Sequence, residues 1–381
     1  MGKNIITTFF ASARVVLLLS IFSCSSSLTR AQPAVLTVNH YVAGVSKAPS
    51  MHGEIAQLYV RERMQANTKA GAGDVVLFVH GAGTPAEVAF DVPYAGYSWM
   101  EFLAEEGFDT FAMDTTGYGR STRPYVMNDP CNMSVTHREQ LIPELAESGC
   151  TPSYGYAATT IESDWDDIDA VVNYVRALRG VRKVHMVAWS LGGPRAAGYA
   201  ALHPEKVDRL VLLAPAYGRN RPSAAPSQLP VSGPAFSKQS RKDFDNNWNR
   251  QVECENQYSA FVANAVWSAM LESDPVGATW GPGVRRAPRT TVWGWDKDVV
   301  GATGHPMLLV APAHDKQVPP ERVSELYEDL GSSSKVLLDL ACSSHNAMWE
   351  MNKHILFDAS EQWLRSGNVD GESNGVIRRG Y

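Results

Sequence analysis

Apolar residues recur along this chain in two periods. Short runs dominated by apolar residues stand at 74–78, 108–114, 184–188, 207–214, 307–311 and 335–340. Runs of that kind suit strands covered on both faces. The stretches 34–42 and 55–64 read as shorter strands with polar residues interleaved, the second placing Ile55, Leu58 and Val60 among polar neighbours. With the turn-rich Lys47-Ala48-Pro49-Ser50 between them, they predict an antiparallel hairpin at a sheet edge. Elsewhere the period is helical. Residues 161–178 put Ile168, Val171, Val172 and Val175 on one face, and 98–106, 194–202, 321–330 and 346–364 predict further helices.

Three stretches break this pattern. Residues 122–158 form a polar insertion that holds Cys131, Cys150 and the sequon Asn132-Met133-Ser134. From 217 to 306 the chain is rich in proline, asparagine and tryptophan (Trp248, Trp267, Trp280, Trp293, Trp295) and has no parallel-strand run. Residues 366–381 are polar and glycine-rich, which predicts a flexible tail. At the other end, Lys3, an apolar stretch densest over 15–22 and the small-residue site Thr29-Arg30-Ala31 read as an export signal over 1–31. Arg14 interrupts the apolar stretch, which is too short for a retained bilayer span. The alternative is a lipoprotein signal in which Cys24 carries the lipid and anchors the chain to a membrane.

If Cys24 leaves with the signal, four cysteines remain, and an even count in an exported chain favours disulfides. Cys131 and Cys150 bracket one insertion and are paired first, which leaves Cys254 with Cys342; free buried thiols are the alternative. The full 381 residues are 44% hydrophobic and 19% charged, a globular composition. Net charge is −6, and −9 without residues 1–31, whose only charged residues are Lys3, Arg14 and Arg30. Basic residues cluster no further than short pairs such as Arg285-Arg286, which argues against nucleic-acid binding.

The chemistry concentrates after three of the apolar runs. The stretch VHMVAWSLGG at 184–193 reads as a buried strand that turns sharply into a helix, with Ser190 at the bend. Ala188-Trp189-Ser190-Leu191-Gly192 fits G-x-S-x-G with alanine for the first glycine; small neighbours are needed because a serine at such a turn sits at strained backbone angles. Run 74–78 leads into Val79-His80-Gly81-Ala82-Gly83, a turn whose backbone N–H groups are free to face a cavity, as an oxyanion hole requires. The phosphate-loop pattern G-x-x-x-x-G-K-[ST] is absent there. Run 108–114 ends in Asp114-Thr115-Thr116-Gly117-Tyr118-Gly119-Arg120-Ser121.

An HG turn, then D-x-x-G-x-G-x-S, then a serine bend resembles the α/β-hydrolase fold superfamily, in its branch with a helical cap that includes proline iminopeptidases and many esterases. The resemblance implies a mostly parallel eight-stranded sheet with helices on both faces. It implies a core over 32–217 carrying the 122–158 insertion, a cap over 218–306 and a second core segment over 307–365. It makes Asp114 structural. Its order Ser…Asp…His assigns Ser190 as nucleophile, Asp315 as orienting carboxylate and His345 as general base, with the Ala82 and Leu191 N–H groups as the oxyanion hole.

His314 would point the other way along its loop, His305 precedes its strand, His80 belongs to the HG turn and Asp339 lies within a strand. A serine in place of an aspartate nucleophile argues against dehalogenase and epoxide hydrolase chemistry. The expectation is a secreted or periplasmic serine carboxylesterase for small to medium apolar or aromatic esters, lactones included. It works through an acyl-enzyme, without metal or organic cofactor. Clustered cap tryptophans suggest an aromatic pocket. The alternatives are an amide hydrolase of proline iminopeptidase type, with Glu253, Glu255, Glu272 or Asp274 holding an ammonium group, a C–C bond hydrolase, and a non-catalytic binding protein.

Overall fold

The computed structural model describes residues 1–2, 34–67, 74–142 and 149–380. The expected signal and Cys24 lie outside the described residues, apart from residues 1–2. Strands β1 (Val35–Val45) and β2 (Ile55–Gln65) pair antiparallel along their whole length, as the pattern at 34–64 predicts. β3 (Val75–Val79) and β4 (Asp109–Met113) are buried at every residue. A two-residue β5 (Thr159–Thr160) precedes the helix Ile161–Arg179. β6 (Val184–Trp189) and β7 (Val207–Leu213) flank the helix Gly192–Leu202. β8 (Phe236–Ser240), β9 (Val284–Pro288) and β10 (Thr290–Thr291) lie in the atypical stretch. β11 (Met307–Pro312), β12 (Lys335–Leu340) and β13 (Asn374–Arg379) complete the set.

Among the described residues, nine strands form the main sheet, in the order β1-β2-β4-β3-β6-β7-β11-β12-β13. β2 meets β4 antiparallel, and from β4 to β13 every neighbouring pair is parallel. The period-2 alternation of a buried strand divides its side chains between two cores. Val76 and Phe78 join Trp99, Phe357 and Trp363 on one face, while Val75, Leu77 and Val79 join Val171, Val175, Tyr199 and Leu326 on the other. The second face is closed by the helix Ile161–Arg179, which a Thr160–Ser163 capping box starts and Gly180, at φ 68°, stops. Its predicted stripe of Ile168, Val171, Val172 and Val175 is buried throughout.

The ninth strand corrects two expectations: among the described residues the sheet has nine strands, not eight, and Asn374–Arg379 of the expected tail 366–381 form a strand. β13 runs parallel to β12 from Lys335↔Asn374 to Leu340↔Arg379. The sequence hides it because an edge strand keeps polar residues on both faces; only Ile377 of its six residues is buried.

The described residues of 122–158 pack against part of the atypical stretch, the expected cap. β8 and β9 pair antiparallel, and Ala235 and Phe236 share a small core with Met127, Met133 and Ala158. Trp248 and Trp267 pack into the main core beside Val262 and Met270, whereas Trp295 and Val300 pack under β11 with Val323 and Leu326. The disulfides are Cys131–Cys150, within the insertion, and Cys254–Cys342, which fastens the cap to the loop after β12. Asn132 of the sequon is buried, with its amide donating to Val126 O and Ser153 Oγ, so the folded chain offers no room for a glycan there. Among the described residues, no helix is long and apolar enough to cross a membrane.

Because Ile377 packs into the core from the edge strand, Ile377→Ala is expected to cost about 2 kcal/mol or more in urea unfolding. A midpoint unchanged from wild type would mean that β13 contributes nothing to stability.

Candidate active site

The bend after β6 is tight enough to dictate its neighbours. Ser190 has φ 57°, a left-handed conformation that few residues other than glycine adopt. Its N–H still completes the sheet by donating to Leu213 O at 3.0 Å, and its carbonyl accepts from Gly193 and Ala216, both at 2.9 Å. A Cβ on Gly192 would lie 2.3 Å from Val79 O, and one on Gly81 would lie 2.9 Å from both Ser190 Cβ and Trp189 O. Glycine is required at both positions because two backbones pass within contact distance. Ala188 in the first position of the motif causes no such conflict and is buried in the core.

The turn 80–83 is held from below by a buried network. Arg195 pairs with Asp164 at 2.8 Å, and its guanidinium donates to His80 O and Gly81 O at 3.1 and 3.2 Å. The Thr115 N–H donates to His80 Nε2, so the ring proton sits on Nδ1 and is donated to Gly81 O at 2.8 Å. Burial, and then the Arg195 charge, push the His80 imidazole well below its ordinary range and keep it neutral. His80 is thus a hydrogen-bonding support for the turn.

Asp114 ties the next turn to this one, accepting the Ala86 N–H on one oxygen and the Arg120 N–H on the other. Asp167 accepts the Thr116 N–H at 2.7 Å. Both turns are therefore fixed by buried carboxyl groups. Among the described residues, the N–H groups of Ala82 and Leu191 donate to nothing in the protein, and Ala82 lines the cavity that holds Ser190.

Asp315 and His345 come from the ends of β11 and β12. Asp315 Oδ1 accepts the N–H groups of Gln317 and Val318 at 2.7 and 2.9 Å, which leaves Oδ2 for His345 Nδ1 at 2.7 Å. Both side chains are buried. The loops carrying them are clamped by two residues that sequence reasoning missed, Gln251 of the atypical stretch and Glu350 after β12. Gln251 Oε1 accepts the Lys316 and His345 N–H groups at 3.0 and 3.4 Å. Glu350 accepts from the Ser344 N–H and hydroxyl, Trp248 Nε1 and Gln257 Nε2. The signal for Arg195 was legible, since a lone charge inside the apolar segment Gly192–Leu202 needs a buried partner. Gln251 and Glu350 carried no comparable mark.

Ser190 and His345 line one cavity of about 80 Å³. Among the described residues, no hydrogen bond joins the Ser190 hydroxyl to the imidazole; catalytic hydrogen bonds of this kind often tighten only with substrate. Trp189, Phe244 and Trp349 supply apolar wall, and Trp189 Nε1 donates to His345 O at 2.8 Å. None of the five clustered tryptophans lines this cavity; its aromatic wall comes instead from Trp189, Trp349 and Phe244. Trp293 instead borders a separate cavity of about 440 Å³ with Trp165, Leu202 and His305. His305 is held there by carbonyl oxygens of Asp208 and Ala200, and His314 turns toward Gln257 and Glu253. The four cap acids are also elsewhere: Glu253 pairs with Lys316, Asp274 with Arg286, and Glu255 and Glu272 are exposed. Asp339 pairs with Arg378 across β12 and β13.

Comparison with known proteins agrees with this architecture. A family model described as alpha/beta hydrolase fold matches residues 74–260. Among solved structures the chain is similar to a thioesterase domain from the curacin biosynthetic pathway, with 15% identity and a TM-score of 0.51 over 87% of this chain and 100% of that one. It is similar to a thermophilic esterase from Thermogutta terrifontis, with 17% identity and a TM-score of 0.50 over 86% and 98%. It is also similar to a serine hydrolase from the polyaromatic hydrocarbon-degrading bacterium Cycloclasticus zankles, with 15% identity and a TM-score of 0.50 over 87% and 98%. No curated protein matches the chain. At such identities the likeness is one of fold.

Burial raises the pKa of Asp167 from 3.8 to about 7, above its unfolded value. A raised folded pKa stabilises most below the unfolded pKa, and that contribution is lost as pH rises through about 7. Urea unfolding at pH 5 and pH 8 is therefore expected to show a steeper loss of stability in wild type than in Asp167→Asn. Equal slopes would mean that burial does not raise the pKa of this carboxyl group in the folded protein.

Proposed function

We propose that this chain, which has the α/β-hydrolase fold, is a serine hydrolase of small carboxylic esters that works through an acyl-enzyme. One observation carries the reading. Ser190, at a left-handed bend, shares a cavity with a histidine whose Nδ1 is 2.7 Å from a buried carboxylate and with the unpartnered N–H region at Ala82. With the Nδ1 proton donated to Asp315, His345 Nε2 is left as an acceptor.

In the proposed cycle, Ser190 Oγ adds to the ester carbonyl carbon while its proton passes to Nε2. The negative charge that forms on the carbonyl oxygen is met by the Ala82 and Leu191 N–H groups. The bond to the alcohol oxygen breaks, and the alcohol leaves with the proton from His345. Water then repeats the sequence on the acyl-serine, releasing the acid and restoring the serine. Gln251, from the cap, and Glu350, from the segment after β12, act as positioning residues by holding the Asp315 and His345 loops. The two disulfides support a chain that folds in an oxidising compartment and is exported.

Release of p-nitrophenol from p-nitrophenyl acetate tests the reading. Ser190→Ala is expected to lower kcat by about 10⁴-fold or more, and Asp315→Asn by about 10⁴-fold. Turnover that persists in Ser190→Ala would remove the proposed nucleophile.

A further inference from the structure

Besides His345, the one ionisable side chain among the described residues lining the cavity beside Ser190 is the guanidinium of Arg285, and no carboxylate lines it. Arg285 stands in β9 directly opposite Gln239 of β8, and its Nε donates to Gln239 Oε1 at 3.1 Å. Among the described residues, that is its only hydrogen bond and it has no ion pair. Nearby acids are committed elsewhere, Asp274 to Arg286 and Asp243 to Lys238 and Ser240. The guanidinium lies over Gly83, where a Cβ would approach it within 2.4 Å, one residue beyond the Ala82 N–H. Its fixed Nε leaves the two Nη groups unbonded inside a space of about 80 Å³. Burial lowers its pKa to about 10. A desolvated, unpaired cation is unfavourable unless something else pairs with it.

We propose that Arg285 binds a carboxylate carried by the substrate, so that the natural ester is a short, anionic one. The inference rests on the ester-hydrolase reading and specifies its substrate class. Two coplanar oxygens match the two free Nη groups of a guanidinium fork, and the pairing is a charge-assisted, bidentate one. The small cavity limits the distance between that carboxylate and the scissile carbonyl. Pockets for drug-sized ligands run to roughly 300–1,000 Å³.

The experiment measures kcat/KM of the full-length protein for two pairs of esters that differ only in charge. Mono-p-nitrophenyl glutarate against p-nitrophenyl glutaramate places the carboxylate on the acyl side; 4-acetoxybenzoate against 4-acetoxybenzamide places it on the leaving group. One pair is expected to favour the anion by about 10- to 100-fold, the range of a hydrogen bond to a charged group. Arg285→Gln should bring that ratio close to one, and Arg285→Lys should keep part of it. No preference in either pair overturns the proposal while leaving ester hydrolysis in place. Binding gives a readout independent of turnover: glutarate and glutaramide are titrated into Ser190→Ala and followed by tryptophan fluorescence, since Trp189 and Trp349 line the cavity. Tighter binding of glutarate, lost on adding Arg285→Gln, supports the anion site even if all four esters are inert, a result that would instead sink the hydrolase reading. Equal binding of the two overturns the anion site.

Discussion

The bend at Ser190 is the constraint to which the surrounding structure conforms. A residue at φ 57° costs on the order of 1–3 kcal/mol unless its surroundings leave it no alternative. Here the surroundings are specific. The Ser190 N–H completes the sheet, Gly192 passes Val79 O where no side chain fits, and Gly81 faces Ser190 Cβ at the same closeness. Bringing two backbones this near leaves carbonyl groups crowded on the inner side of the 80–83 turn. Arg195 answers that by donating to two of them, and Asp164 answers Arg195. The same glycine-rich turn that permits the approach leaves the Ala82 N–H without a partner.

The cap adds a second layer of positioning. β11 and β12 end in loops, and loops alone hold side chains loosely. Gln251 reaches from the cap to the backbone on both sides of the proposed Asp315–His345 pair. Glu350, kept by burial above its ordinary range yet surrounded by four donors, joins Trp248 and Gln257 of the cap to Ser344. The Cys254–Cys342 bridge reinforces that connection covalently. The expected cap therefore helps to hold the loops of the proposed site, and the described residues of the 122–158 insertion share a core with Phe236.

Arg285 and Arg286 show how register assigns roles that composition cannot. They are neighbours in sequence, and as a pair they look like an ordinary charged step. In β9 successive side chains take opposite faces. Arg286 goes into the cap, where it pairs with Asp274 at 2.7 Å and reaches the Asn128 side chain at 3.0 Å. Arg285 goes to the cavity, opposite Gln239.

The sequence by itself determined the framework. Fully buried parallel strands leave continuous apolar runs, and the helix Ile161–Arg179 leaves its stripe, because burial on both faces or on one face is written directly into residue type. The strand-to-helix bend at Ser190 and the positions of Asp315 and His345 after their strands were legible for the same reason. The pairing of Cys131 with Cys150 also followed, from the insertion they bracket. What only tertiary structure decided lay where contacts come from distant elements. β13 reads as a tail because an edge strand buries one residue; Trp248, Trp267 and Trp295 pack into the main cores, not the cavity beside Ser190; Gln251, Glu350 and Arg285 are ordinary polar residues until the fold sets them opposite particular atoms. Periodicity encodes how much of a residue is buried, and it carries no record of which group, a hundred residues away, it will be buried against.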